Sequence, residues 1–215
     1  LIGNNPIAFQ SGISQFKGNG ANVKNNGLDL VVNSRNLKGK VGWRTSLLFN
    51  YNTNKVTSYL IKGTSNSNIV NNTNPLEGFP ISPVFSFPSS GLDNTGAPQG
   101  VLNGLVSKDY TKLLNQLDIK QLKYHGSLTP SYFGSLNNIF AYRNFELSVN
   151  LIYKFDYSFR RTNTFTGSNY GTGGNTVFNL SDYHKRWQKP GDELTTRVPA
   201  LIYPESSLKN SFYRN

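Results

Sequence analysis

Every second residue from Phe145 to Phe159 is apolar or aromatic: Phe145, Leu147, Val149, Leu151, Tyr153, Phe155, Tyr157 and Phe159. The residues between them are Glu146, Ser148, Asn150, Ile152, Lys154, Asp156 and Ser158, all polar except Ile152. Successive strand side chains point to opposite faces, so a period of two predicts one continuous apolar face and one polar face. Strands of soluble domains usually end after about five or six residues, whereas a tilted strand crossing an outer membrane needs about nine to eleven. The spacing therefore predicts a transmembrane β-strand over 145–159, with Phe and Tyr near its ends, where barrel girdles meet lipid headgroups.

A second segment repeats the pattern. From Val41 the odd positions are Val41, Trp43, Thr45, Leu47, Phe49 and Tyr51, and the even ones include Arg44, Ser46, Asn50 and Asn52, with Leu48 the one break in the polar face. Upstream, Leu28, Leu30 and Val32 predict a strand over 28–36 that turns at Leu37-Lys38-Gly39. A further strand is predicted over 132–142, turning at Arg143-Asn144 into the segment described first. Between the two hairpins, 54–128 is rich in Asn, Ser and Gly and carries Pro75, Pro80, Pro83, Pro88 and Pro98. Proline removes ladder donors, so this stretch reads mostly as loop, with one short strand near 84–87.

Two short turns and one very long connection orient the strands. Outer-membrane barrels have short periplasmic turns and long extracellular loops, so the turns at Lys38 and Arg143 are expected to face the periplasm. The stretches 54–128 and 162–205 are then expected outside, and loops of such length usually bind or cover something. Arg44, Asn50, Asn150, Lys154 and Asp156 are expected on the lumen face, lining a route or hydrogen-bonding a plug. A few strands cannot close a barrel, because open edges in lipid would leave backbone groups unpaired. The remaining strands are expected in sequence outside these residues. The start at Leu1-Ile2-Gly3, the lack of Met and the end at Arg214-Asn215 also predict an internal piece of a longer protein.

Composition changes this picture little. No apolar run reaches the length of a transmembrane helix, which does not count against a barrel, whose apolar residues are diluted by alternation. The absence of Cys removes thiolate ligands and nucleophiles. A net charge of +11 raises the question of nucleic acid, but the 22 Lys and Arg are scattered, and no nucleic-acid partner is expected. Scattered bases suit a polar lumen and loops near anionic headgroups.

No motif announces catalysis or a cofactor. His125 and His184 lie far apart, without Cys or His at ligand spacing, so no metal is expected. The adjacent Asp192 and Glu193 would point apart in extended chain. Gly171-Thr172-Gly173-Gly174 lacks the Lys-Ser/Thr ending of a phosphate loop, and Asp93-Asn94-Thr95-Gly96 reads as a turn rather than a calcium loop. The chain is not expected to be an enzyme.

Several motifs carry a family resemblance over about residues 20–200. Gly91-Leu92-Asp93-Asn94-Thr95-Gly96-Ala97-Pro98-Gln99-Gly100 is followed in order by Tyr124-His125-Gly126-Ser127-Leu128-Thr129-Pro130-Ser131-Tyr132-Phe133-Gly134. Then come Tyr142-Arg143-Asn144-Phe145-Glu146-Leu147-Ser148, and Arg186-Trp187-Gln188-Lys189-Pro190-Gly191-Asp192-Glu193 ending in Val198-Pro199. Together with Gly27-Leu28-Asp29-Leu30 and the stretch from Trp43 to Val56, these resemble the C-terminal barrel region of SusC/RagA-type TonB-dependent transporters.

The resemblance implies an all-β fold, part of a large antiparallel transmembrane barrel of about 22 strands in the outer membrane of a Bacteroidetes-type bacterium. It implies TonB-dependent import of oligosaccharides or peptides, with a SusD-like surface lipoprotein and TonB as partners and no cofactor. The plug and the TonB-contacting segment have no counterpart in these residues. The outer-loop aromatics Phe79, Phe85, Phe87, Tyr110, Tyr170, Phe178, Tyr183 and Trp187 would then stack on sugar rings, pack against the lipoprotein, or pin the loops to one another. Two other readings stay open: a soluble all-β glycan-binding module, and a passive porin or secretion channel.

Overall fold

The computed structural model describes residues 2–6, 10, 12, 15–60, 65–160, 180–201 and 206–214. In chain order the strands are β1 (Ile2–Pro6), β2 (Gln15–Asn19), β3 (Ala21–Leu37), β4 (Val41–Tyr59), β5 (Pro83–Ser86), β6 (Ser89–Leu92), β7 (Pro98–Leu102), β8 (Leu105–Ser107), β9 (Lys123–Ser127), β10 (Tyr132–Tyr142) and β11 (Phe145–Phe155). The α-helices are short: α1 (Asn66–Val70), α2 (Tyr110–Asn115), α3 (Leu180–Tyr183) and α4 (Ser207–Arg214). The fold is predominantly antiparallel β-sheet, and no helix among the described residues is long and apolar enough to cross a membrane.

The chain divides into two units. The first, Leu1–Lys62, Pro75–Pro83 and Gly126–Phe159, is built on a four-stranded sheet in the order β11-β10-β4-β3, every neighbouring pair antiparallel, beside the β1–β2 hairpin. β10 and the turn at Arg143-Asn144 fall where alternation places them, Arg143 taking the left-handed conformation (φ 51°) that a two-residue hairpin requires.

Two strands outrun their expected ends. β3 begins at Ala21 rather than near Leu28, and β4 continues to Tyr59, 19 residues in all. The added stretches are polar and show no alternation, so nothing in the pattern marks them. They are held by the mutual ladder, which pairs Lys24 with Lys55 and Ala21 with Tyr59. β11, in contrast, stops short of the expected Phe159. Asp156 takes a left-handed conformation (φ 57°), and beyond it Ser158 N donates to Ser127 O at 2.7 Å. Tyr157 and Phe159 therefore keep the period of two without belonging to the strand.

The second unit comprises Gly63–Asn74, Val84–His125 and Arg160–Asn215. The stretch read as mostly loop holds α1, α2, β5 paired with β9, and the small sheet β6-β7-β8. Its prolines are compatible with strands because Pro83 and Pro98 each occupy the first position of one, where a missing donor costs least. Asp109 caps α2 by accepting from Lys112 N (3.0 Å). A core fills this unit: Ile69, Val70, Phe85, Phe87, Leu113, Leu114 and Phe212 are all buried. Phe212 lies 5.6 Å from Phe87 and 5.7 Å from Tyr110, between centroids.

Candidate functional site

The register of the four-stranded sheet tests alternation independently on each strand. Aligned rows run Leu28, Tyr51, Tyr132, Phe155; then Leu30, Phe49, Gly134, Tyr153; then Val32, Leu47, Leu136, Leu151. Nearer the turns come Ser34, Thr45, Asn138, Val149, then Trp43, Phe140, Leu147, and finally Val41, Tyr142, Phe145. All four strands thus put their apolar sets on one face. That face is open: Phe145 is 80% exposed, Leu147 61%, Leu151 57% and Leu28 59%. Among the described residues of this unit only Ala21, Val56 and Pro83 are buried apolar side chains, so the sheet does not close over a core of its own.

Aromatic side chains mark both ends of this face. Trp43 stacks on Phe140 (5.7 Å between centroids) toward the turns, and Tyr132 meets Tyr51 (4.9 Å) and Phe49 (6.3 Å) at the far end. The ten steps from Val41 to Tyr51 span about 33 Å at ~3.3 Å each, or about 25 Å in height at a ~40° tilt, the height of an outer-membrane apolar band.

The polar residues within the apolar face satisfy one another. Trp43 Nε1 and Thr45 Oγ1 both donate to Asn138 Oδ1 (3.1 and 2.7 Å). Asn36 Nδ2 donates to Thr45 Oγ1 (2.6 Å), and Ser34 Oγ to Asn36 Oδ1 (2.7 Å). A network closed in this way lowers the cost of placing polar groups in an apolar medium. Two rows further on, Gly134 leaves a gap that the Tyr153 side chain crosses, its hydroxyl donating to Leu48 O at 2.8 Å. Sequence reasoning missed this pair, although a glycine at an apolar-face position inside a strand is a standing signal of close approach.

The opposite face carries most of the expected lumen residues. Arg44 Nη2 lies 3.5 Å from Glu146 Oε2, both exposed, and Asn50 Nδ2 donates to Phe133 O (3.3 Å). Asn150 falls in a row with Asn33, Ser46 and Asn137, in which Ser46 Oγ donates to Asn33 Oδ1 (2.6 Å) and Ser148 Oγ to Asn137 Oδ1 (3.2 Å). Lys154 aligns with Asn50 and Asp29. Asp156 lies past the end of β11, where its carbonyl accepts from Ser131, so strand alternation does not assign it to this face.

The loop aromatics divide. Phe85 and Phe87 are buried in the second unit, Phe85 against Tyr124 (5.1 Å), so they pin that unit together, and Phe87 also borders a cavity of the unit. Phe79 is half-buried in the first unit, its carbonyl accepting from Val56 N (2.8 Å). Tyr110 is half-buried and donates its hydroxyl to Pro98 O (2.7 Å); burial, helped by the Asp93 carboxylate, pushes its phenol up to about 12. Tyr183 carries the Arg186 guanidinium over its ring at 3.9 Å. Trp187 is half-buried and donates Nε1–H to Glu193 Oε2 (2.9 Å). Tyr170 and Phe178, with Gly171-Thr172-Gly173-Gly174, lie outside the described residues.

Two loops of the second unit are tightly made. Asp93 Oδ1 accepts from Thr95 N, Thr95 Oγ1 and Ala97 N (2.9, 2.6 and 2.9 Å), and Oδ2 pairs with Lys108 Nζ at 2.6 Å. Burial works to raise this carboxyl, but Lys108, Thr95 and Ala97 outweigh it and hold it well below the usual carboxylate range. The geometry is that of the turn expected from Asp93-Asn94-Thr95-Gly96, its carboxylate spent on the chain itself. At Gly96 (φ 75°) a Cβ would meet Ala200 and Trp187 at 2.6 Å, so the second loop, 186–198, packs directly on this turn. In that second loop Asp192 Oδ2 accepts from Gln188 N and Lys189 N (3.0 and 3.1 Å), and Glu193 Oε2 also accepts from Gly191 N (2.8 Å). Asp192 and Glu193 thus serve the loop backbone.

Arg160, the first residue after the sheet unit, had no marker beyond the pair Arg160-Arg161. Its Nη2 donates to Val70 O and Phe85 O, both at 2.5 Å, and burial lowers its pKa. His125 Nε2 lies 2.7 Å from Ser86 Oγ, and burial, with Lys123 and Arg160 nearby, lowers the imidazole pKa. Among the described residues no group of three metal-ligating side chains converges.

Among the described residues of this unit, two cavities can be outlined. One, about 590 Å³, has Phe87, Pro98 and Phe212 in its apolar lining and Ser86, Ser89, Ser90 and Arg197 as polar ones. The other, about 460 Å³, is of mixed charge, with Asp182, Lys185, Arg186, Asp192 and Arg197 among its lining groups. No protein-family model matches the chain, and no curated protein matches it.

Proposed function

We propose that the chain is a section of a large transmembrane β-barrel, of about 22 strands as in SusC/RagA-type transporters, in the outer membrane of a Bacteroidetes-type bacterium. In this reading the apolar face meets lipid, the face carrying Arg44, Asn50 and Lys154 meets the lumen, and the turns at Lys38 and Arg143 lie on the periplasmic side. The barrel imports oligosaccharides or peptides, driven through TonB and working with a SusD-like lipoprotein.

The observation that carries the reading is the coincidence of four apolar strand faces in one exposed surface about 25 Å high with aromatic side chains at both ends. A soluble sandwich would cover such a face with a second sheet of matching length, and the described residues supply none.

Trp43 provides the test. Trp43 and Trp187 are the two tryptophans, so in Trp187→Phe the emission comes from Trp43 alone. In vesicles of lipids brominated along their acyl chains, Trp43 emission should be strongly quenched, and iodide in the water should quench it little. Efficient iodide quenching with no effect of brominated lipid would exclude the membrane reading. TonB dependence is tested in cells: uptake of the cognate substrate through the whole protein should stop on dissipating the proton-motive force, whereas a passive porin would continue to fill.

A further inference from the structure

The 590 Å³ cleft of the second unit is of small-ligand size, and its polar lining is one-sided. Arg197 lines it, is exposed, and makes no ion pair among the described residues; no carboxylate lines the cleft with it. Neighbouring cations are engaged, Arg186 with the Tyr183 ring and carbonyl and Lys108 with Asp93. Ser89 Oγ already accepts from Gly91 N (3.2 Å), which leaves its O–H to give, and Ser86 Oγ is held 2.7 Å from His125 Nε2. Beneath them the Phe87 and Phe212 rings, 5.6 Å apart, form an apolar floor.

A planar guanidinium matches a carboxylate through two parallel hydrogen bonds, hydroxyl donors can complete the oxygens' coordination, and an apolar floor suits the body that bears the carboxylate. We propose that this cleft binds a carboxylate attached to an apolar or ring-shaped body, with Arg197 as the anchoring residue. A peptide C-terminus and a uronic acid both present that chemistry. The assignment of such a ligand as cargo rests on the importer reading; its binding does not.

The test is calorimetric titration of the full chain in detergent with two matched pairs: N-acetyl-phenylalanine against its amide, and glucuronic acid against glucuronamide. In at least one pair the acid should bind about tenfold or more tighter than the amide, since the charge-assisted bonds are lost in the amide. Arg197→Gln should bring that ratio to near one while the circular dichroism spectrum is unchanged, and Arg197→Lys should restore part of it. Preference confined to the first pair identifies peptide ends, confined to the second uronic acids, and in both the carboxylate itself. Equal binding of acid and amide, no binding of any of the four, or an unchanged ratio in Arg197→Gln would overturn the proposal. Lipid quenching of Trp43 on the same preparation reports the membrane reading separately, so either can fail while the other stands.

Discussion

Substitution of Gly134 by alanine should be far more damaging than its half-exposed surroundings suggest. A Cβ built there lies 1.9 Å from Leu48 O, 2.9 Å from Leu48 C and 2.6 Å from Tyr153 Oη, where ordinary contact begins near 3.4 Å. The tyrosine can swing away, but the carbonyl belongs to β4, so β10 and β4 must separate locally. Losing two ladder hydrogen bonds costs about 1–3 kcal/mol, the strain of insertion adds about 1–3, and the displaced hydroxyl of Tyr153 adds about 1. The expected loss for Gly134→Ala is therefore about 3–7 kcal/mol. Tyr153→Phe, which removes only the 2.8 Å bond to Leu48 O, should cost about 1. The informative variant is Gly134→Ala with Tyr153→Ala. Removing the ring clears the 2.6 Å clash but not the 1.9 Å one, so the double variant should stay at least about 2 kcal/mol below Tyr153→Ala alone. Urea unfolding in detergent, followed through Trp43 in the Trp187→Phe background, gives these differences. Gly134→Ala within about 0.5 kcal/mol of its parent would refute the reasoning, as would full rescue by Tyr153→Ala, which would place the whole clash on the side chain.

Two further predictions concern the second unit. The carboxyl of Asp93 is held below its unfolded value, so the unfolded chain binds more protons on the acid side and stability rises with pH there. Its contribution is full above the ordinary aspartate range near pH ~4 and is lost as pH falls through the folded value. Asp93→Asn should flatten the pH dependence of unfolding between about pH 4 and 2, and an unchanged slope would refute it. Arg160→Ala removes the donations to Val70 O and Phe85 O and should cost about 2–4 kcal/mol, read through Trp187 in urea; Arg160→Lys should recover part, and a loss under about 0.5 would rule out the clasp.

Legibility followed the source of each element's stability. β10, both short turns and the apolar register of β4 and β11 could be read because each strand's own side chains define its face. The first seven residues of β3 and the last six of β4 could not, since polar stretches such as Ala21-Asn22-Val23-Lys24-Asn25-Asn26-Gly27 are strand only through the partner they pair with. The second unit reads as loop in the sequence because its elements are three to eight residues long, too short to show a period, and its core joins residues as distant as Val70 and Phe212. Among the candidate site residues, Arg44, Asn50, Asn150 and Lys154 follow from the period of two. Phe85 and Phe87 do not, because nothing local distinguishes an aromatic that binds from one that is buried.

That second unit is assembled from three separated lengths of chain, Gly63–Asn74, Val84–His125 and Arg160–Asn215. During synthesis, the residues that become its first two parts emerge long before Arg160 and Phe212, which complete its hydrogen bonding and its core. The β10–β11 hairpin must be made in the interval. Contacts so distant in sequence form late and slowly, which leaves Val70, Phe85 and Phe87 uncovered in the nascent chain until the third part arrives. The order of emergence thus sets a waiting period during which this surface stays uncovered, and pulse-labelling of nascent chains should place its end after residue 212.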